Sequence, residues 1–197
     1  MSHKLELRIY ESYLEKSKEF FFMLKERPNE RFELSAIAMG TEEGGCITLT
    51  ELITPERSRI CITSQENFKS LGKQDNDGYD LISTHDRSML TGSFAMRIKG
   101  YMQGREHNHP GKRKIPTVGD IISISDCQCL FKPGLKYFVE IIHNGSSNNI
   151  FYYRREDLDF LHSRMYRSGI NQQRVEDWLQ RNKKALSINN FEVVKGK

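Results

Sequence analysis

Two histidines separated by a single residue, His107 and His109, form the pattern in this sequence that is best suited to metal chemistry. Residues two positions apart on a strand face the same side, so both imidazoles can bind one ion with little ordering cost. Pro110 ends that strand, and a basic loop then leads to a helix whose first turn contains Asp120. Two imidazoles and a carboxylate, with one position open to water, are typical of catalytic zinc, whereas structural zinc sites use four protein ligands.

Two further polar residues accompany this pattern, and each has a simpler explanation beside the chemical one. Thr117 and Asp120 also fit a helix capping box, Thr-x-x-Asp directly after a proline, which needs no metal. Glu33 opens the apolar strand Leu34 to Met39, where an unpaired buried carboxylate would be costly. A metal site nearby would give Glu33 a partner, and a surface position at the edge of a sheet is the alternative.

The elements that must position these residues alternate between strand and helix patterns. Period-two runs predict strands at Lys4 to Ile9, Phe32 to Met39, Cys46 to Ile53, Ser58 to Thr63, Arg105 to His109, Tyr137 to His143, Ile150 to Arg154 and Phe191 to Val194. Helical patterns cover Ser12 to Lys25, Asp86 to Tyr101, Thr117 to Ile124, Glu156 to Arg167 and Gln172 to Lys184. Gly40 is expected to close one strand, and Gly44-Gly45 to form a turn. Interspersed strands and helices predict one domain of the α/β or α+β class.

Composition excludes several classes of protein. The chain has 197 residues, of which 37% are hydrophobic and 28% charged, as in ordinary globular domains. Its net charge of +4 is too weak to indicate a nucleic-acid partner. The aromatic run from Phe20 to Leu24 is too short to span a bilayer. Without a secretory signal, reduced cysteines are expected in a cytoplasmic protein, although export as an effector stays open.

The four cysteines offer one more candidate site. They are Cys46, Cys61, Cys127 and Cys129. The closely spaced pair in Asp126-Cys127-Gln128-Cys129 suggests a second metal site. No further cysteine or histidine cluster completes four ligands, so small buried thiols are the favoured interpretation.

The motif beginning His107-Asn108-His109-Pro110 and continuing, after six residues, with Thr117 and then Asp120 resembles the JAMM motif of JAB/MPN metallopeptidases. The compact gap is similar to bacterial members, including RadC-like and toxin-associated JAB domains. That family also has a glutamate on an early strand, just before a run of small apolar residues that ends in glycine. Glu33 to Gly40 matches this strand, and the resemblance spans roughly Arg31 to Arg154.

The resemblance implies one zinc ion per chain, held by His107, His109 and Asp120. It also implies that Glu33 is the general base, taking a proton from a zinc-activated water and passing it to the leaving amine. Thr117 stands where the family has a serine that stabilises the oxyanion, and its β-methyl group restricts the side chain. The implied architecture is a JAB/MPN-like domain at 1–155, a mixed sheet flanked by helices, with a helical extension at 156–197 packed on the same domain.

The function that follows from the resemblance is a zinc metallopeptidase or isopeptidase that hydrolyses an amide bond. Its substrate would be a protein or peptide, with a partner or activator protein as a further expectation and no membrane partner. The alternative is a non-catalytic scaffold of the same fold that binds a partner. A RadC-like, DNA-linked role is less favoured because the charge offers little electrostatic attraction for nucleic acid.

Overall fold

The computed structural model describes residues 5–26, 32–54, 80–83, 102–109, 114–126, 131–143, 148–167, 172–188 and 190–196. Within these ranges, nine strands form one mixed sheet and four helices accompany it. The strands are β1 (Glu6–Tyr10), β2 (Phe32–Glu43), β3 (Cys46–Ile53), β4 (Asp80–Ser83), β5 (Met102–Asn108), β6 (Tyr137–His143), β7 (Asn148–Arg154), β8 (Ser187–Ile188) and β9 (Glu192–Val194). The helices are α1 (Glu11–Glu26), α2 (Val118–Asp126), α3 (Arg155–Arg167) and α4 (Gln172–Leu186).

The strand order places β5 near the middle of the sheet. The order is β8-β7-β6-β5-β2-β3-β1-β9, and β4 pairs with the first part of β2. β5 runs antiparallel to β2 on one side and parallel to β6 on the other. All seven residues of β5 are buried, although five of them are polar or charged. A strand covered on both faces is normally apolar, so the polar residues of β5 need specific partners.

Helices cover both faces of the sheet, and each face has its own hydrophobic core. On one face, α2, α3 and α4 contribute Ile121, Ile124, Leu158, Leu161, Val175 and Leu179 to a core with Phe138, Phe151 and Tyr153. On the other face, α1 contributes Tyr13, Phe20 and Phe21 to a core with Leu34, Ala36, Ala38, Val139 and Ile141. Residues alternate between these two faces along each strand, so neighbouring residues of β5 meet different helices.

Two glycine features shape β2. Gly44 and Gly45 have φ angles of 58° and 84°, which lets them close a two-residue hairpin between β2 and β3, as expected. The expectation that Gly40 ends the strand is wrong, because β2 continues to Glu43 with a register shift between Met39 and Gly40. A Cβ atom at Gly40 would lie 2.3 Å from the Thr48 carbonyl oxygen, so this glycine allows close backbone approach at the irregularity.

The predicted class, a mixed sheet flanked by helices, is confirmed. The strands expected at Cys46 to Ile53 and Tyr137 to His143 have the predicted bounds. The strand expected at Ser58 to Thr63 and the helix at Asp86 to Tyr101 lie outside the described residues. So does the Cys127 and Cys129 pair. None of the helices in the described ranges is long and apolar enough to cross a membrane.

The close contact between β5 and β6 leads to a stability prediction. A Cβ atom at Gly104 would lie 2.2 Å from the Val139 carbonyl oxygen. Gly104→Ala should therefore lower the free energy of unfolding by about 1–3 kcal/mol, as overpacking of a core does. Gly119→Ala is the control, because its Cβ would meet its nearest neighbour, Thr117 Oγ1, at 3.5 Å. Urea denaturation should show the control unchanged or stabilised by up to about 1 kcal/mol. Equal stability of both variants would contradict the β5–β6 register.

Candidate metal centre

The structure brings the three predicted ligands together at the end of β5. Nε2 of His107 lies 3.0 Å from Nε2 of His109 and 3.0 Å from Oδ1 of Asp120. Nε2 of His109 lies 3.1 Å from Oδ2 of Asp120. The histidines come from β5 and the residue after it, and the carboxylate comes from the first turn of α2. These residues form a group that could hold a metal ion.

The donor set and its spacing fit a small divalent cation. Zinc bonds of about 2.0–2.1 Å in a tetrahedral arrangement place neighbouring ligand atoms about 3.3 Å apart. The observed separations of 3.0–3.1 Å are within a few tenths of an ångström of that value. Exposed fractions of the side chains are 0% for His107, 9% for His109 and 7% for Asp120. Imidazole nitrogens with one carboxylate oxygen are a ligand set that zinc favours.

Thr117 holds the Asp120 carboxylate in place through a capping box. The Thr117 backbone N–H and hydroxyl both donate to Asp120 Oδ2, at 2.6 and 2.7 Å. The Asp120 N–H lies 3.3 Å from Thr117 Oγ1 and donates to it in return. The capping arrangement is thus present, and the same carboxylate faces the histidines. The two interpretations of this pair coexist, and the oxyanion role of Thr117 stays a prediction.

The Asp120 carboxylate is held in its charged form. Burial would by itself raise its pKa, but the charges of His107 and Arg105 and hydrogen bonds from both histidines outweigh that effect. The pKa of Asp120 therefore lies well below its ordinary value. Because the folded-state pKa is lowered, ionised Asp120 stabilises the fold above its ordinary pKa. That contribution is lost as the pH falls through the lowered value.

A second layer of charged residues lies behind the ligands. Nη2 of Arg105 donates to Asp120 Oδ1 at 2.7 Å, and its Nε donates to Glu140 Oε1 at 2.9 Å. The Tyr153 hydroxyl donates to Glu140 Oε2 at 2.5 Å, and burial is the main reason why the pKa of Tyr153 is raised well above its ordinary value. Sequence reasoning missed these residues. The available signal was a lone carboxylate, Glu140, within the apolar strand Tyr137–His143, and two charged residues directly before His107.

The backbone of Glu33 lies at the start of β2, where it pairs in parallel with Leu81 of β4. Two residues later, Ser35 pairs with His107 across the β2–β5 ladder. The strand that carries Glu33 therefore adjoins the strand that carries the histidines. The carboxylate of Glu33 lies outside the described part of the structure, so its role as general base stays a prediction.

Comparisons with known proteins add little to this geometry. No family model and no curated protein matches the chain. The chain is similar to the solution structure of protein DSY2949 from Desulfitobacterium hafniense, with 17% identity over 76% of this chain and 86% of that one, at a TM-score of 0.41. It is also similar to the crystal structure of AF2198, a JAB1/MPN domain protein from Archaeoglobus fulgidus. That likeness has 13% identity over 98% of this chain and 100% of the other, at a TM-score of 0.33.

Both TM-scores lie below 0.5, so these likenesses decide neither family nor activity. A functional assignment must come from the chemistry of the site. In the described ranges, His107, His109 and Asp120 are the one group of three or more metal-binding side chains close enough to share an ion.

Proposed function

We propose that this protein is a zinc-dependent hydrolase that cleaves an amide bond in a protein or peptide. The observation that carries the proposal is the convergence of two imidazole nitrogens and one carboxylate on a buried point at the end of β5. Three protein ligands leave a coordination position open, as catalytic zinc sites do. Catalytic zinc sites perform several reactions. Amide hydrolysis is supported because the motif from His107 to Asp120, together with Glu33, resembles the JAMM motif.

Each residue has a separate task in this proposal. His107, His109 and Asp120 would hold the ion, which when bound supplies a Lewis acid and lowers the pKa of water to about 7. Glu33 would accept a proton from the attacking water and return it to the leaving nitrogen. Thr117 keeps Asp120 oriented through its backbone N–H and its hydroxyl. The hydroxyl has one proton, so to serve as the proposed donor to the oxyanion it would turn that proton away from Asp120, while the backbone N–H keeps the carboxylate in place.

Metal analysis of the full chain tests this function first. Protein purified after zinc-supplemented expression should contain about one zinc per chain, and His107→Ala should contain none. The loaded wild type should cleave members of a panel of folded, unfolded and ubiquitin-like-conjugated proteins. A wild type without any transition metal would refute the metal centre. A zinc-loaded wild type that cleaves nothing in the panel would favour the non-catalytic scaffold.

A further inference from the structure

Arg105 is a buried cation placed between two buried carboxylates. Its side chain is 3% exposed, and its guanidinium contacts Asp120 from α2 and Glu140 from β6. Burying three charged groups costs desolvation free energy, and apolar residues of similar volume would often stabilise a fold equally well. We therefore explain the presence of these three charged residues by the geometry that they impose on the site and not by a gain in stability.

The guanidinium group is planar, so its donors point in fixed directions. Nε and Nη2 both donate to Oε1 of Glu140, and Nη2 also donates to Oδ1 of Asp120. The shared donor fixes the two carboxylates relative to each other. Oδ1 of Asp120 accepts the hydrogen bond from Nη2, and the same oxygen lies 3.0 Å from Nε2 of His107. Arg105 thus sets the position of a candidate ligand atom directly.

Glu140 lies behind a second proposed ligand, His107. It pairs with Arg105 in the β5–β6 register and shares the face of His107, two residues further along β5. Its Oε1 lies 3.9 Å from Nδ1 of His107, which is beyond hydrogen-bond distance, and this buried Nδ1 has no hydrogen-bond partner among the described residues. A histidine that binds a metal through Nε2 carries its proton on Nδ1, and that N–H usually donates to a carboxylate or carbonyl oxygen. Tyr153 holds the second oxygen of Glu140.

We propose that Arg105, Glu140 and Tyr153 are positioning residues of the metal centre. They connect α2, β5, β6 and β7 behind the ligands, so that Asp120 is preorganised before an ion arrives. Glu140 is held where a small shift would let it accept the Nδ1–H of a metal-bound His107. This inference rests on the proposed zinc site and adds the residues that set its affinity and geometry. It predicts that changes distant from the ion weaken metal binding without unfolding the protein.

The opposite face of β5 offers a matched control. Glu106 is 1% exposed, and the hydroxyl of Tyr13 in α1 donates to its Oε2 at 2.8 Å. Ser17 and His143 also contact this carboxylate. Tyr13 and Tyr153 are both buried tyrosines that donate to a buried carboxylate, but only Tyr153 belongs to the face that carries the ligands.

The experiment compares Tyr153→Phe, Glu140→Gln and Tyr13→Phe in the full chain. Zinc affinity is measured by competition with a chromophoric chelator, and the visible spectrum of the cobalt-substituted protein reports ligand geometry. Melting temperature of the metal-free protein reports stability. Outer-shell changes typically weaken metal binding 10–100-fold, so we expect about 10-fold for Tyr153→Phe and up to about 100-fold for Glu140→Gln. Both should alter the cobalt spectrum, whereas Tyr13→Phe should lower only the melting temperature.

Three results would overturn the inference. One is wild-type zinc affinity in both Tyr153→Phe and Glu140→Gln. Another is an equal loss of affinity in Tyr13→Phe and Tyr153→Phe, which would show a general effect of stability. The third is a wild type that binds no zinc. This third result would also refute the proposed function, whereas the first two leave that function standing. If Glu140→Gln does not fold, the zinc affinity of Tyr153→Phe alone tests the inference, because this variant removes one hydroxyl and no charge.

Discussion

Glu33→Gln is expected to lower the rate of hydrolysis by about 10²–10⁴-fold, the usual loss on removing a general base, while zinc content stays unchanged. Glutamine keeps the shape of the side chain but cannot accept a proton. The loss should lie toward the upper end if the same group also protonates the leaving nitrogen. Initial rates on a substrate found in the protein panel, with zinc determined on the same samples, measure both quantities.

The control for this variant lies on the same strand. Glu43→Gln makes the same chemical change at the exposed end of β2, and should leave the rate and the zinc content as in the wild type. Equal rates for wild type and Glu33→Gln would refute the mechanism while leaving the metal centre intact. Loss of zinc in Glu33→Gln would instead place Glu33 among the ligands.

Asp120 and Thr117 should separate metal binding from catalysis. Asp120→Asn removes an anionic ligand and should weaken zinc binding by more than about 100-fold, the upper range for outer-shell changes. Thr117→Ala should still bind zinc, but should lose about 10²-fold in rate if its hydroxyl serves the oxyanion. Because that hydroxyl also caps α2, the same variant should lose about 0.5–2 kcal/mol of stability. Competition titration, initial rates and denaturant unfolding measure these effects.

The choice of asparagine at position 120 matters for the fold. Alanine would leave the buried charge of Arg105 without one of its two carboxylate partners, and breaking a buried ion pair costs about 3–5 kcal/mol. Asparagine also removes the charge, but it keeps one oxygen that can accept the Arg105 hydrogen bond. Its NH2 group cannot accept the Thr117 N–H, so we expect a loss of stability that is smaller than for alanine but not zero. Thr117→Ser should restore both the cap and the rate. Zinc affinity that is unchanged in Asp120→Asn would remove this residue from the ligand set.

Local patterns predicted much of the fold and the candidate ligands. The strand period places His107 and His109 on one side, and the proline and capping pattern places Asp120 in a first helical turn. Both are short-range effects, decided by backbone geometry within a few residues. The alternating patterns at Cys46–Ile53 and Tyr137–His143 predicted strands for the same reason.

The partners of charged residues were not predictable in this way. Nothing between Arg105 and Glu140 in the sequence indicates that β5 and β6 are parallel neighbours with these two residues paired. Register between distant strands depends on the whole sheet and on the helices packed against it. Gly40 is a second example of a contact that the sequence does not reveal. In the sequence a glycine after an apolar run indicates the end of a strand, whereas in the structure it allows close approach to Thr48.

The sequence by itself determined the class of the fold, the run of most strands and helices, and three residues whose types suit a metal ion. Only the tertiary structure decided that the two imidazoles and the Asp120 carboxylate converge within 3.0–3.1 Å, and that Arg105 and Glu140 stand behind them. The physical reason is the separation along the chain of the residues that interact. Side-chain direction and helix capping are set by neighbours in the chain, whereas convergence requires strand order, register and helix packing that the folded chain settles as a whole.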